Sequence, residues 1–433
     1  MIGTLAESID RIPPALNLEM LTMLRSLICT LCCVLLMTSA TRGEDAKDFF
    51  FKPGDRVLFL GDSITEQYQY SSDIELYLTT RFPKWNCFFL NAGIGGDTAT
   101  GGAGRFASHV LAEKPTAITI NFGMNDGGYG AFNPGGQANF AANTEKMLVA
   151  AKDAGVRVAL CSPNAVDRRV QERFKLYLET QKQFYEPLSG LAAKHGMSFV
   201  DQYAITRREF ERMEKEDAKT VIPFGDGFHT SPSGGLMMAH AILTGLKAPA
   251  LVSDVSVDAA TKATKTQACV VSNAEVAVDE VAFDRLDEAL PLPIHKDWVS
   301  LLPFLNDLKD LNWYGLRATG LAEGNYKLSI DGTEVANYSS AQLASGVNVG
   351  NVVTGPVHDH AQKVFDAINA KNQLVHQRFR GVVMFNAPDW LADVVAERKP
   401  KELEKRLDQI KAKQAEVYEL AKPAKHRWKL ERI

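Results

Sequence analysis

The sequence predicts an α/β protein with a three-layer parallel sheet over residues 53–248 and an additional C-terminal α+β region over 268–433. Three observations carry this. Between Arg56 and Leu246, short apolar runs alternate with longer amphipathic stretches. Strands separated by helical stretches pair in parallel through right-handed crossovers, which puts helices on both faces of one sheet. Segments rich in Gly, Asn and Asp follow the apolar runs, where an open α/β sheet gathers its sites. After Pro249 the texture changes: strand-like segments come first and helical ones after.

The elements follow in order. Val57-Leu58-Phe59-Leu60 reads as a buried strand ending in Gly61-Asp62-Ser63. Ile74, Tyr77 and Leu78 recur at helix spacing. Cys87 to Leu90 is the second strand, and Ala117 to Ile120 the third. Asn143 to Ala154 reads as a helix, Val156 to Leu160 as a strand stopped at Pro163, Phe174 to His195 as one long helix, and Ser198 to Val200 as the fifth strand. Residues 251–267, rich in Ser, Thr, Ala and Asp, read as a linker. Val276, Val278, Val281 and Phe283 suggest strand material. Leu316 to Val335 reads as two strands joined around Glu323-Gly324-Asn325, with a turn at Asp331-Gly332. Residues 360–380 and 389–397 look helical, and 400–421 form a charged helix ended by Pro423. The basic residues beyond it read as a disordered or simple surface tail.

A chain of 433 residues suits about two domains of ~100–200 residues each. Its 45% hydrophobic and 23% charged content is that of a soluble globular protein. A net charge of -4 gives no electrostatic reason to expect nucleic acid or an anionic membrane as partner. Residues 1–43 stand apart. Arg25, the apolar run Leu27 to Met37 and the small residues Ser39-Ala40 form a secretory signal pattern, so a secreted, periplasmic or cell-envelope protein is expected. The run is too short to span a bilayer, and no membrane span is expected once it is removed. Met20 and Met23 both precede it as alternative starts. Cys29, Cys32 and Cys33 would leave with the signal. Cys87, Cys161 and Cys269 remain, an odd set that makes neither a disulfide framework nor a zinc site. One disulfide or buried free thiols both fit them. No cofactor or metal is expected.

Four segments carry candidate chemistry. Ser63 directly follows a strand and precedes a helix, so a tight turn can expose its hydroxyl beside a helix N-terminus. Asp226 lies three residues before His229, with Gly227 between them to let the chain bend. A serine needs a base to become a nucleophile, and the base needs a carboxylate to fix its tautomer. Gly95-Gly96-Asp97-Thr98 can bring backbone N–H groups close to a ligand. Asn125, in Gly123-Met124-Asn125-Asp126, can donate from its side-chain amide. Singly, each is more often turn or capping chemistry. Jointly and in this order they supply a nucleophile, two donors, an acid and a base, each after a strand of one sheet.

These four blocks resemble the SGNH hydrolase superfamily, the GDSL-like lipases and esterases. The resemblance covers residues 53–248 and implies a flavodoxin-like hydrolase domain. It implies Ser63 as nucleophile, His229 as base, Asp226 as its orienting carboxylate, and Ser63, Gly96 and Asn125 as the oxyanion donors. Gly95 is a lesser alternative to Gly96. Ile64 stands where the family name has leucine, and Thr230 where many members carry proline. The implied reaction is ester hydrolysis through an acyl-enzyme. Export, the lack of an apolar lid segment and a large second region favour removal of acetyl groups from carbohydrate. A lipase or thioesterase acting on longer acyl chains is the in-class alternative, and a non-catalytic carbohydrate-binding envelope protein the alternative from another class. His358-Asp359-His360 lacks the further ligands of a metal site, and Trp313, Tyr314, Tyr338 and Trp390 read as core anchors rather than a sugar platform.

Overall fold

The computed structural model describes residues 47–433, so the signal-like segment 1–43 lies outside the described residues. Residues 49–433 make one unit. Its first sheet holds β1 (Arg56–Gly61), β2 (Phe88–Gly93), β3 (Ala117–Asn121), β4 (Arg157–Cys161) and β5 (Ser198–Val200) in the order β2-β1-β3-β4-β5. Every pairing is parallel. The strands are nearly continuous runs of buried residues, as a sheet covered on both faces requires. The helices Gln69–Arg81 and Pro232–Gly245 pack together in one layer; Ala99–Arg105, Pro134–Asp153 and Pro187–His195 form the other. The chain winds to either side of β1, which places the switch point between β1 and β3, where such sheets bind ligands.

Two helices depart from the sequence expectation. The one expected from Asn143 begins at Pro134, because Asn133 caps it and Pro134 fills its first turn. The one expected across 174–195 divides at Pro187 into Phe174–Tyr185 and Pro187–His195.

Beyond Ala248 the chain builds two further sheets. One runs β13 (Val347–Asn348), β10 (Trp313–Thr319), β6 (Leu251–Asp258), β7 (Thr264–Gln267); the other runs β12 (Thr333–Ser339), β11 (Asn325–Ile330), β14 (Lys425–Arg432), β9 (Glu280–Asp287), β8 (Cys269–Val276). The expected linker is in fact β6 (Leu251–Asp258) and β7 (Thr264–Gln267). From Asp254 on, Val255 and Val257 point inward in β6 while Asp254, Ser256 and Asp258 are partly exposed, a period of two that its polar composition masks. The expected basic tail is β14 (Lys425–Arg432), paired on both sides, with β9 (Glu280–Asp287) and with β11 (Asn325–Ile330). Trp428 and Leu430 enter the core as Arg427 and Lys429 face outward. The Asp331-Gly332 turn joins β11 to β12 (Thr333–Ser339) as expected, and both residues have positive φ. β10 (Trp313–Thr319), read as the hairpin partner of β11, belongs to the other sheet.

Arg285 is fully buried between these sheets. Its Nε donates to Asp287 at 2.8 Å and its Nη2 to Ser253 at 2.8 Å, and its guanidinium lies 4.0 Å from the Tyr314 ring centre and 4.6 Å from that of Trp428. Two long helices then return to the first sheet's helical layer. Lys371, on Pro356–Arg378, meets both carboxylate oxygens of Glu75 at 2.8 Å, with Asn372 donating to Ser72 at 3.0 Å. From Ala392–Leu420, the Tyr418 hydroxyl donates to the Cys87 carbonyl at 3.1 Å. Cys87, Cys161 and Cys269 are free and buried. Among the described residues no helix is long and apolar enough to cross a membrane.

Candidate active site

β1 ends at Gly61, and Asp62 caps the one-turn helix Ser63–Glu66 by accepting from the Ile64 N–H at 3.0 Å. That turn lies directly on the end of β2. A Cβ on Gly93 would stand 2.3 Å from the Glu66 nitrogen, so only glycine fits there. The turn sets the Ser63 hydroxyl 2.8 Å from His229 Nε2. His229 Nδ1 lies 2.7 Å from Asp226 Oδ2. An ionised carboxylate only accepts, so the proton sits on Nδ1 and leaves Nε2 free to accept from the serine. Burial pushes the Asp226 carboxyl up, but N–H groups from the His229 backbone and ring and from the Phe228 backbone outweigh it. The net effect holds the group below its ordinary value, and therefore ionised.

The loop carrying this pair is fixed from outside. Gly227 adopts φ 96°, a conformation that favours glycine. The Gln171 amide donates to the Asp226 carbonyl at 2.7 Å, and the Asp167 N–H to that of Gly227 at 2.7 Å. The His229 side chain remains 31% exposed, so a substrate can reach it.

The donor candidates gather on the same rim. Ser63 opens its helix, and no acceptor among the described residues takes its N–H. The Gly95 N–H is committed to Glu66 Oε2 at 2.6 Å, whereas that of Gly96 meets no such acceptor. This distinguishes the two glycines in favour of Gly96. Asn125 uses Nδ2 toward the Asp97 carbonyl at 2.8 Å and receives the Tyr129 hydroxyl on Oδ1 at 3.2 Å, which fixes the amide's orientation and leaves its second N–H. Tyr129 holds φ 56°, a strained value for a tyrosine. The structure thus brings Ser63, Asp226, His229, Gly96 and Asn125 to one edge. Glu66, Tyr129, Gln171 and Asp167 escaped sequence reasoning: the first two lie within four residues of Ser63 and Asn125 but belong to no motif, and the last two lie more than fifty residues from the loop they anchor.

Asp62 gives this edge a pH signature. Burial, together with the nearby charges of Asp126 and Asp97, pushes its carboxyl up to about 7, despite the Ile64 N–H. Between about pH 4 and about pH 7 the folded protein keeps a proton that the unfolded chain has released, so stability falls as pH rises through that window and levels off above it. The Asp62→Asn variant, which keeps a capping acceptor, should lack this slope. Thermal unfolding of both proteins from pH 4 to 8 measures the difference; parallel curves would show that the Asp62 carboxyl is not the source.

Residues 59–235 match the model of the GDSL-like lipase/acylhydrolase family. No curated protein sequence matches the chain. Among solved structures, a gut microbial diltiazem-metabolizing enzyme, BT4096, is similar with a TM-score of 0.75 and 26% identity, over 88% of this chain and 98% of that one. The acetylxylan esterase Axe2 of Geobacillus stearothermophilus overlaps 45% of this chain and 95% of its own, with 22% identity and a TM-score of 0.38. The fold and the family match together define a three-layer α/β fold of the SGNH hydrolase type. Residues 59–235 form a GDSL-like lipase/acylhydrolase domain, and the protein is a carboxylic-ester hydrolase.

Proposed function

We propose that the chain is an exported serine esterase that removes acetyl groups from carbohydrate through an acyl-enzyme on Ser63. The observation that carries this reading is the unbroken line from Ser63 Oγ through His229 to Asp226, with contacts of 2.8 and 2.7 Å. His229 Nε2 takes the hydroxyl proton as Ser63 Oγ bonds to the ester carbonyl carbon. The resulting oxyanion is met by the N–H groups of Ser63 and Gly96 and the side chain of Asn125. Each such donor typically contributes about 2.7–4 kcal/mol to transition-state stabilisation. The tetrahedral adduct collapses, the ester C–O bond breaks, and His229 returns its proton to the departing alcohol. Water then repeats the sequence in reverse roles: it gives a proton to His229, attacks the acyl carbon, and releases the acid with Ser63 restored.

A small acyl group suits the surroundings. Asp97 and Asp126, only partly buried, stand beside the donor edge, so a long apolar chain laid along it would meet carboxylates rather than apolar side chains. Export rests on the signal-like composition of residues 1–43. A chain-length series of p-nitrophenyl esters, followed by acetylated polysaccharides, tests the substrate. The fastest turnover should fall on acetate, and a maximum at long acyl chains would overturn the acetyl reading. Failure of the wild-type protein to react with a fluorophosphonate would favour a binding protein on the same scaffold.

A further inference from the structure

The helix that begins with Ser63 ends with Glu66, and each oxygen of the Glu66 carboxylate has its own partner. Oε2 accepts the Gly95 N–H at 2.6 Å, and Oε1 meets Arg380 Nε at 2.6 Å. Arg380 lies in the turn Phe379–Val383, which continues the long helix Pro356–Arg378 of the C-terminal region. Three separate parts of the chain therefore converge on one carboxylate: the nucleophile's helix, the donor loop and the returning C-terminal helix.

The loop they hold is soft by composition. The Asp97 N–H donates to the Ile94 carbonyl at 3.1 Å, closing a four-residue turn with Gly95 and Gly96 at its centre. Gly96 has φ 74°, the sign a type II turn requires at that position. Neither central residue carries a side chain, so no steric term keeps the peptide between them in one orientation. That peptide owns the Gly96 N–H. Were it to flip, the donor would point away from the reacting carbon. Contacts outside the turn are needed to hold it: Asn125 on the Asp97 carbonyl, Arg105 on the Asp97 carboxylate at 2.9 Å, and Glu66 on the Gly95 N–H.

We propose that Arg380 is a positioning residue: by fixing the Glu66 carboxylate it holds the Gly95-Gly96 turn in its donating orientation, so that the C-terminal region sets the rate of acyl transfer. This rests on the proposed role of the Gly96 N–H. Arg380 never touches substrate in this scheme, and its loss acts on kcat rather than on KM. The Arg380 side chain is 39% exposed, so removing the pair should cost little global stability.

The test uses the full chain with p-nitrophenyl acetate. Arg380→Ala should lower kcat about 10-fold, a fraction of the 10²–10³ lost with a whole oxyanion donor, while KM stays within about twofold and thermal unfolding is unchanged. Arg380→Lys should recover part of the loss. Glu66→Ala should cost at least as much as Arg380→Ala, and the double variant no more than Glu66→Ala alone, because Arg380 acts only through that carboxylate. Should Glu66→Ala fold poorly, Glu66→Gln replaces it: this variant keeps an acceptor for Gly95 but loses the ion pair, so its loss should be close to that of Arg380→Ala, with none added in the double variant. Wild-type kcat in Arg380→Ala, or full multiplication of the two losses in the double variant, overturns the proposal. Ser63→Ala, assayed alongside, separates the two readings. If it is inactive while Arg380→Ala is unimpaired, only the positioning role falls; if it still turns over substrate, the serine mechanism beneath falls with it.

Discussion

Ser63→Ala should lower p-nitrophenyl acetate turnover by a factor on the order of 10⁶ while leaving thermal unfolding where it was. The size follows from how the site is joined. In the proposed reaction the Ser63 hydroxyl, 2.8 Å from His229, both bonds to the acyl carbon and passes its proton to the imidazole. His229→Ala should cost nearly as much, since nucleophile and base act as one unit, and the double variant should be little worse than either single one. What survives belongs to the oxyanion donors, about 10³–10⁴ over water. Stability is expected to hold because the hydroxyl lies at the open rim and fills no core space. Initial rates at saturating substrate, with fluorophosphonate labelling as an independent readout, check the result. Labelling that persists in Ser63→Ala would move the nucleophile elsewhere.

The second large effect concerns the buried pair between Lys371 and Glu75, whose side chains are 0% and 1% exposed. Burial pushes the Glu75 carboxyl up and the Lys371 ammonium down, and the charge of each partner opposes that shift in the other. Lys371→Met should destabilise the fold by about 3–5 kcal/mol, because it strands a carboxylate in the interior with only Asn372 and its neighbours. Glu75→Leu combined with Lys371→Met should recover most of that loss, since an apolar pair of similar volume has no charge to desolvate. Urea unfolding of the wild-type protein, Lys371→Met and the double variant measures this. A single variant as stable as wild type would show that water reaches the pair. The experiment also reports on docking, because this contact joins the helix Pro356–Arg378 to the helix Gln69–Arg81.

The first sheet is legible because its strands are short apolar runs punctuated by glycine, and part of the site because Ser63, Gly96 and Asn125 follow closely on β1, β2 and β3; Asp226 and His229 lie beyond the helix Gln202–Lys215, not after a strand as expected, and only their mutual spacing marks them. Ser198 to Val200 is bounded as expected from three residues, whereas the helix expected from Asn143 starts at Pro134, where the cap Asn133 and the proline signal a start that Gly135 and Gly136, poor helix formers, obscure. The second half was harder for a physical reason. β6 and β14 bury one face only, so half their residues are polar and composition hides the alternation. The partners of Glu66 and Glu75, Arg380 and Lys371, lie some three hundred positions away along the chain. Local pattern holds no information about contacts made by the return of a distant helix. The expectation of a simple basic tail fails for the first of these reasons: the basic residues Arg427 and Lys429 dominate the composition and hide the inward Trp428 and Leu430 that alternate with them.

The position of β14 also bears on how the molecule is made. As the polypeptide leaves the ribosome, β9 and β11 emerge long before the strand that must lie between them. Until then both present open backbone donors and acceptors, a template for pairing with other nascent chains. The two long helices are synthesised during that interval, so the accessory module waits on the final segment described here to seal it. A premature stop after Ala424 would leave the esterase fold translated in full and the module behind it permanently adhesive.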